Sequence, residues 1–272
     1  MKNLKKIVAL GAVLVLAISS LAGCGGSSSE EDTTIKVAAT PNPHAVVLEK
    51  IKDTLADEGY TLEIVEFEDY VKPNQAVTDG DVDANYFQHQ PYLDQYNEEN
   101  GTDIVSVGGV HYEAMGIYKA QKSAIDELSS GDKIGVPNDV TNEARALQLL
   151  EANGVITLKE GAGLTATKAD IVENPYGIEI VELDAAIIPN TLPDLALAVI
   201  NANYALEADI TDDAIAVEAA DSDAATTYAN IVACAKGNED SEKIQALIKA
   251  LQSDEVKDFL EDEYKGVIKA TF

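Results

Sequence analysis

The sequence predicts an α/β protein of two lobes with a ligand site in the cleft between them. Two stretches each alternate short apolar, β-branched runs with helical periodicity, and Gly or Pro punctuates the joints. With 46% hydrophobic residues in a 272-residue chain, there is enough apolar material for real cores. A βαβ series builds a parallel sheet, and its ligands lie beyond the carboxyl ends of the strands. Two such series make the gap between lobes the natural site.

The chain opens with Lys2, Lys5 and Lys6, followed by an apolar run from Ile7 to Ile18 and then Leu21-Ala22-Gly23-Cys24. Basic, apolar and small-residue regions in that order are a secretory signal, too short to read as a membrane span. Cys directly after Leu-Ala-Gly resembles the bacterial lipobox, so residues 1–23 are expected to be removed and Cys24 to carry lipid. Residues 24–33, with Gly-Gly-Ser-Ser-Ser-Glu-Glu-Asp, read as a hydrophilic tether. The expected location is the extracytoplasmic face of the cell membrane, held by the lipid.

Thr34 to Ala39 reads as a first strand, Thr40 to His44 as a proline turn, and His44 to Leu55 as a helix with Val47, Leu48, Ile51 and Leu55 on one face. Tyr60 to Phe67 is a second strand, Pro73 opens a short helix, and Asp81 to Phe87 is a third strand or its exit. Pro91 begins a helix that stops at Gly101. Ile104 to Val110 and Met115 to Tyr118 are strand-like. Lys133 to Pro137 starts the second series; Thr141 or Asn142 can cap the next helix, which ends at Asn153-Gly154. Ile178 to Leu183 and Leu197 to Ile200 are strands, and Ser241 to Leu251 and Asp254 to Tyr264 are helices. The expected lobes are residues 34–114 with 206–272, and residues 115–205. Expected crossings lie near His111 to Met115 and near Asn203 to Ala208.

A net charge of −29 argues against nucleic-acid binding and against broad contact with anionic lipid. Cys234 has no partner once Cys24 carries lipid, and it sits in the apolar run Ile231 to Ala235, so a buried inert thiol is expected. Neither a nucleophile elbow, a phosphate loop nor a Cys-x-x-Cys pair occurs. His44, His89 and His111 are the only histidines, and none shows a metal-ligand spacing, so no metal and no cofactor is expected.

Two segments concentrate polar and aromatic groups. Tyr86-Phe87-Gln88-His89-Gln90-Pro91-Tyr92 lies at a strand end before a helix. Its rings could wrap a polarizable group such as a thioether, or form an aromatic core patch. In Val136 to Arg145, Asn142 and Arg145 share one face of the first helical turn. Arg145 is the only arginine in the chain, which suggests a geometric need that lysine does not meet, against the alternative of an exposed helix arginine. At a helix start it could grip a carboxylate with two parallel hydrogen bonds.

Together these segments resemble the MetQ/NlpA family, the methionine-binding lipoproteins of bacterial ABC importers. The stretches that carry the resemblance are Ala39 to His44, Asp69 to Asn74, Tyr86 to Asn97, Val136 to Leu150 and Val199 to Ala205. The resemblance implies a two-lobed, hinged, periplasmic-binding-protein-like fold of type II. It also implies delivery of L-methionine, or a close relative, to an ABC permease, without catalysis. By motif, Tyr70, Phe87, His89 and Tyr92 look like the side-chain pocket, Arg145 with Asn142 like the carboxylate clamp, and Asn201 and Asn230 like amides for the ligand's polar end. Asn203 competes with Asn201. D-methionine or a short methionine-containing peptide are alternative cargoes, and a surface-anchored hydrolase is a more distant reading.

Overall fold

The computed structural model describes residues 33–219 and 223–272, with side chains described throughout except at 223 and 224. The predicted signal peptide, Cys24 and the tether up to Asp32 lie outside the described residues.

The described chain forms two main sheets. The first runs β13-β4-β12-β3-β1-β2, built from β1 (Thr34–Ala39), β2 (Thr61–Glu66), β3 (Ala84–His89), β4 (Ile104–Glu113), β12 (Ala229–Ala235) and β13 (Ile268–Ala270). The second runs β11-β5-β10-β6-β9, from β5 (Gly116–Lys119), β6 (Lys133–Pro137), β9 (Glu179–Leu183), β10 (Leu197–Ile200) and β11 (Ala214–Val217). A small hairpin of β7 (Thr157–Leu158) and β8 (Ile171–Glu173) completes the strands. β1 pairs in parallel with β2 and β3, and β6 with β9 and β10, as the βαβ patterns predict. β12 enters antiparallel between β3 and β4, so C-terminal residues complete the first lobe.

The helices are amphipathic covers on these sheets. The predicted His44–Leu55 helix is a turn at Pro41–Ala45 followed by α1 (Val46–Lys50) and α2 (Lys52–Asp57), which break at Ile51. Val47, Leu48, Ile51 and Leu55 bury against β1 and β3 together with α9 (Glu242–Leu251) and α10 (Asp254–Tyr264). On the other side lie α3 (Lys72–Asp79) and α4 (Gln90–Asn100), whose Val77 and Leu93 join the apolar cluster containing Ala38 and Ile231. α4 stops at Gly101 with φ 66°, the left-handed conformation that glycine adopts without strain. In the second lobe α5 (Val140–Ala152) packs Ala144, Leu147 and Leu150 against Ile134 and Val136 of β6. Gly135 allows a close approach there: a Cβ would stand 2.6 Å from Leu195 Cδ1, and that side chain would have to move. Short helices α6 (Ile188–Thr191), α7 (Ala202–Glu207) and α8 (Asp223–Thr227) fill the remaining connections.

Three expectations need correction. The cap of α5 is Asp139, with extended backbone and a carboxylate that accepts from Asn142 N (3.0 Å); Thr141 and Asn142 are already helical. The third strand runs two residues further, to His89, whose ring then caps α4 by accepting from Tyr92 N (3.2 Å). The second crossing follows Val217 rather than Ala208, because residues 214–217 return as an edge strand on β5. A four-residue edge strand between acidic turns carries too little periodicity to be read from sequence. β4 ends at Glu113 and β5 begins at Gly116, so the chain passes from the first sheet to the second between them. Cys234 is fully buried in β12, and burial pushes its thiol up to about 11.

Candidate functional site

A cavity of about 360 Å³, counting space open to solvent, lies between the two sheets. All eight candidate ligand residues line it: Tyr70, Phe87, His89, Tyr92, Asn142, Arg145, Asn201 and Asn230. Glu113, Gln88, Ala202 and Asn203 line it as well.

Element ends bring these groups together. Phe87 and His89 sit two apart at the end of β3, and His111 and Glu113 two apart at the end of β4, each pair on one strand face by the period of two. Asn230 pairs with His89 on one side and with His111 on the other. The register shifts directly after it against β4 and one residue later against β3, a bulge of the kind that re-aims side chains next to sites. Across the cleft, Asn142 lies in the first turn of α5 and Arg145 in the second, while Asn201 caps α7 directly after β10.

One end of the cavity is aromatic. Tyr70 lies 6.0 Å from Phe87 and 5.9 Å from Tyr92, centroid to centroid, and 5.0 Å from Tyr204 of the second lobe. Tyr92 donates to the carbonyl of Tyr70 (3.0 Å), and Tyr70 donates to Asn203 Oδ1 (2.6 Å). The rings are thus anchored through their hydroxyls while their faces stay apolar.

The other end is polar and strongly ordered. Asp139 accepts from Asn142 Nδ2 (2.9 and 3.1 Å), which turns Asn142 Oδ1 towards Asn201 Nδ2 (2.9 Å). That chain of donations fixes the Asn201 amide with Oδ1 buried and without a hydrogen-bond partner among the described residues. A buried acceptor left open costs about 1–3 kcal/mol unless something donates to it. His89 Nε2 donates to Asn142 Oδ1 (3.3 Å), so both of its nitrogens are engaged within the protein. Burial, helped by Arg145, lowers its pKa to about 3 and keeps the ring neutral.

Arg145 has protein partners on two of its three nitrogens. Its Nε and Nη2 bind the Glu218 carboxylate (2.9 and 2.6 Å), and Nη2 also donates to the carbonyl of Glu113 (2.7 Å). Nη1 takes no part in these bonds. The guanidinium lies 4.4 Å from the Tyr228 ring centroid and 5.7 Å from that of Tyr112. Burial works against its charge, yet Glu218 raises its pKa and holds it cationic.

Glu113 is the buried anion of the cavity. It accepts from His111 Nε2 (2.8 Å) and faces His44 Nε2 (3.2 Å), while Oε2 accepts from Asn203 N (3.1 Å). Burial would raise its pKa, but the two imidazoles outweigh that and hold it below the usual range. His44, His111 and Glu113 are also the one group among the described residues whose ligand atoms, all within 4.8 Å, could hold a metal ion. Spacing in sequence did not reveal it, because His44 arrives from the Pro41–Ala45 turn, far from β4. Glu113, Glu218 and Tyr228 were missed as well. The available signal was His-x-Glu at a strand end; no spacing rule links Glu218 to Arg145.

The family model for the NlpA lipoprotein matches residues 35–272. A lipoprotein structure from Ruminococcus gnavus is 56% identical, with a TM-score of 0.87, covering 88% of this chain and all of that one. A nutrient binding protein from Burkholderia cenocepacia, solved bound to methionine, is 44% identical with a TM-score of 0.82 over 88% and 100% of the two chains. The D-methionine-binding lipoprotein MetQ of Salmonella typhimurium is 41% identical over 96% of each sequence.

Proposed function

Because this chain belongs to the NlpA lipoprotein family, we propose that it is an extracytoplasmic receptor that captures methionine in its cleft and delivers it to an ABC permease. The observation that carries this reading is the division of one enclosed cavity into an aromatic end and a charged end. A zwitterionic amino acid needs an anion and an acceptor for its ammonium, and a cation and donors for its carboxylate. Glu113 and Asn201 Oδ1 suit the first. Arg145 Nη1 and Asn230 Nδ2 suit the second, since Asn230 Oδ1 is taken by His44 Nε2 (3.1 Å). Tyr70, Phe87 and Tyr92 suit a thioether, which gains about 0.3–1.5 kcal/mol per sulfur–aromatic contact. Methionine in the Burkholderia structure and D-methionine in the name of the Salmonella relative support the same cargo. His89 spends both ring nitrogens on structure, which favours a receptor over a hydrolase.

The test is calorimetry with L-methionine, D-methionine and methionine amide, alongside mass spectrometry of whatever small molecule co-purifies. Binding of an isomer of methionine with rejection of the amide supports the reading. Absence of heat with either isomer, from protein first stripped of bound ligand, overturns it. Anchoring is proposed at Cys24, because no helix among the described residues is long and apolar enough to cross a membrane and Leu-Ala-Gly-Cys follows the apolar run. Cys24→Ala should leave an uncleaved precursor or release protein to the medium. Normally processed protein retained in the membrane fraction would rule out that anchor.

A further inference from the structure

Glu113 is held by more groups than burial of one carboxylate requires, and their arrangement gives them a task. A carboxylate and an amide oxygen can only accept hydrogen bonds. His44 Nε2 faces Glu113 Oε1 at 3.2 Å and Asn230 Oδ1 at 3.1 Å, and His111 Nε2 faces Glu113 Oε1 at 2.8 Å. Each Nε2 therefore carries its proton. The opposite nitrogens are engaged too: His44 Nδ1 with Thr40 Oγ1 at 2.7 Å, and His111 Nδ1 with the Tyr86 hydroxyl. The rings are locked edge-on, His44 at 83° and His111 at 89° to Tyr86. Both imidazoles are at most 1% exposed. Every group in this chain is fixed, and it ends on Glu113, the one acidic residue among those lining the cavity, while Arg145 is paired with Glu218 outside that lining.

We propose that His44 and His111 are positioning residues for the ligand's ammonium group. They hold the Glu113 carboxylate aimed into the cleft and so set the receptor's requirement for a free α-amino group. The inference rests on the reading of the cleft as an amino-acid site, and it adds the device by which that site tells an amino acid from the same molecule without nitrogen. Neither imidazole touches the ligand; both act through Glu113. A carboxylate held only by Asn203 N (3.1 Å) would rotate about that bond and meet the ammonium poorly. With His111 Nε2–H on Oε1 (2.8 Å), His44 Nε2 facing the same oxygen (3.2 Å) while bonded to Asn230 Oδ1, and Asn203 N on Oε2 (3.1 Å), the carboxylate keeps one orientation.

The experiment compares L-methionine with 4-(methylthio)butanoate, which has the same side chain and carboxylate but no amino group. Wild type should prefer methionine. His111→Leu removes one hydrogen bond to the carboxylate, so methionine affinity should fall about tenfold or more, while affinity for the deaminated analogue stays the same. His111→Gln, whose amide N–H can reach Glu113, should recover part of the preference. His44→Gln provides an independent second variant if the leucine variant does not fold, and thermal unfolding is recorded for each. Equal losses for both ligands, or an unchanged preference in a folded variant, would mean that the histidines only support the fold and would overturn the proposal. Wild type that binds neither ligand would refute the amino-acid reading itself, a distinguishable failure. Dialysis against EDTA should leave the wild-type preference unaltered. If it abolishes the preference, a cation on His44, His111 and Glu113 balances the carboxylate instead, and the positioning role is lost.

Discussion

Arg145 carries two loads, and they separate in experiment. Its fork is committed to Glu218 and to the Glu113 carbonyl, with Nη1 remaining for the proposed ligand carboxylate. Arg145→Ala would leave Glu218 partly buried without its cation, a loss of about 3–5 kcal/mol in stability for such pairs, so lost binding alone would not locate the ligand. Arg145→Lys is the cleaner variant: the charge stays, but one ammonium cannot span Glu218, the carbonyl and a ligand. It should weaken methionine binding by about 2 kcal/mol or more and narrow the preference for methionine over its amide. Wild-type affinity and an unchanged preference, with a normal circular dichroism spectrum, would move the carboxylate contact elsewhere. Phe87, 3% exposed and flanked by Tyr70 and Tyr92, is the matching test for the side chain. Phe87→Ala opens space at the aromatic end and should cost about 2–4 kcal/mol of binding, by analogy with truncations in cores. Calorimetry returning wild-type affinity would make those rings packing alone.

At the scale of elements, the site is a set of termini: the ends of β3, β4 and β10 and the starts of β12, α5 and α7. Helical and strand periods in the sequence were sufficient to locate most of these ends, which is why Phe87, His89, Asn142 and Arg145 were legible as candidates, whereas Asn201 and Asn230 came only from the family resemblance. What stayed hidden depends on contacts between elements distant in the chain. Glu218 meets Arg145 across 73 residues, and His44 reaches Glu113 only when the proline turn packs beside β4. Asp139 was passed over as a cap because Thr141 and Asn142 are equally good capping types; only the backbone angles decide. The buried imidazoles also fix how these elements respond to acid. Burial lowers His44 to about 4 and His89 to about 3, from an ordinary value of 6.5. The unfolded chain therefore takes up protons below pH 6.5 that the folded chain refuses, and stability falls as pH falls. The Glu113 carboxyl, held low in the fold, acts in the same direction further down. Between pH 6 and pH 5 each imidazole should remove up to about 1.4 kcal/mol. Urea unfolding at pH 7.5, 6 and 5 measures this, and stability that is flat or rises towards pH 5 would contradict the neutral, buried assignment.

At the scale of the molecule, the cavity is enclosed by bonds that join the lobes rather than by either lobe alone. Tyr70 donates to Asn203 Oδ1 (2.6 Å), His89 to Asn142 Oδ1 (3.3 Å), and Tyr204 to the carbonyl of Glu68 (3.2 Å). The crossings themselves are tied together: Glu218 N donates to the carbonyl of Met115 (2.9 Å), and Met115 N to Glu218 Oε2 (3.0 Å). Such a pair of tied connections suits a hinge, because rotation there leaves both sheets intact. With Arg145 Nη2 to the Glu113 carbonyl (2.7 Å) and Asn203 N to Glu113 Oε2 (3.1 Å), these cross-lobe hydrogen bonds at about 0.5–1.5 kcal/mol each hold the closed form by several kcal/mol, which leaves an open form accessible for ligand entry. A ligand touching Phe87 on one side and Arg145 on the other adds contacts that exist only when closed, and so must shift the balance towards closure. Tyr70→Phe keeps the ring and removes one cross-lobe bond, which should enlarge the ligand-free radius of gyration while leaving the methionine-bound one near wild type. Solution scattering on both proteins, with and without saturating methionine, reads this directly. Contraction on binding, larger in Tyr70→Phe than in wild type, is the expected result. Four superimposable curves would mean that the lobes do not open at the hinge, and the route of the ligand into the cavity would have to be through movement of Tyr70 and Tyr92 instead.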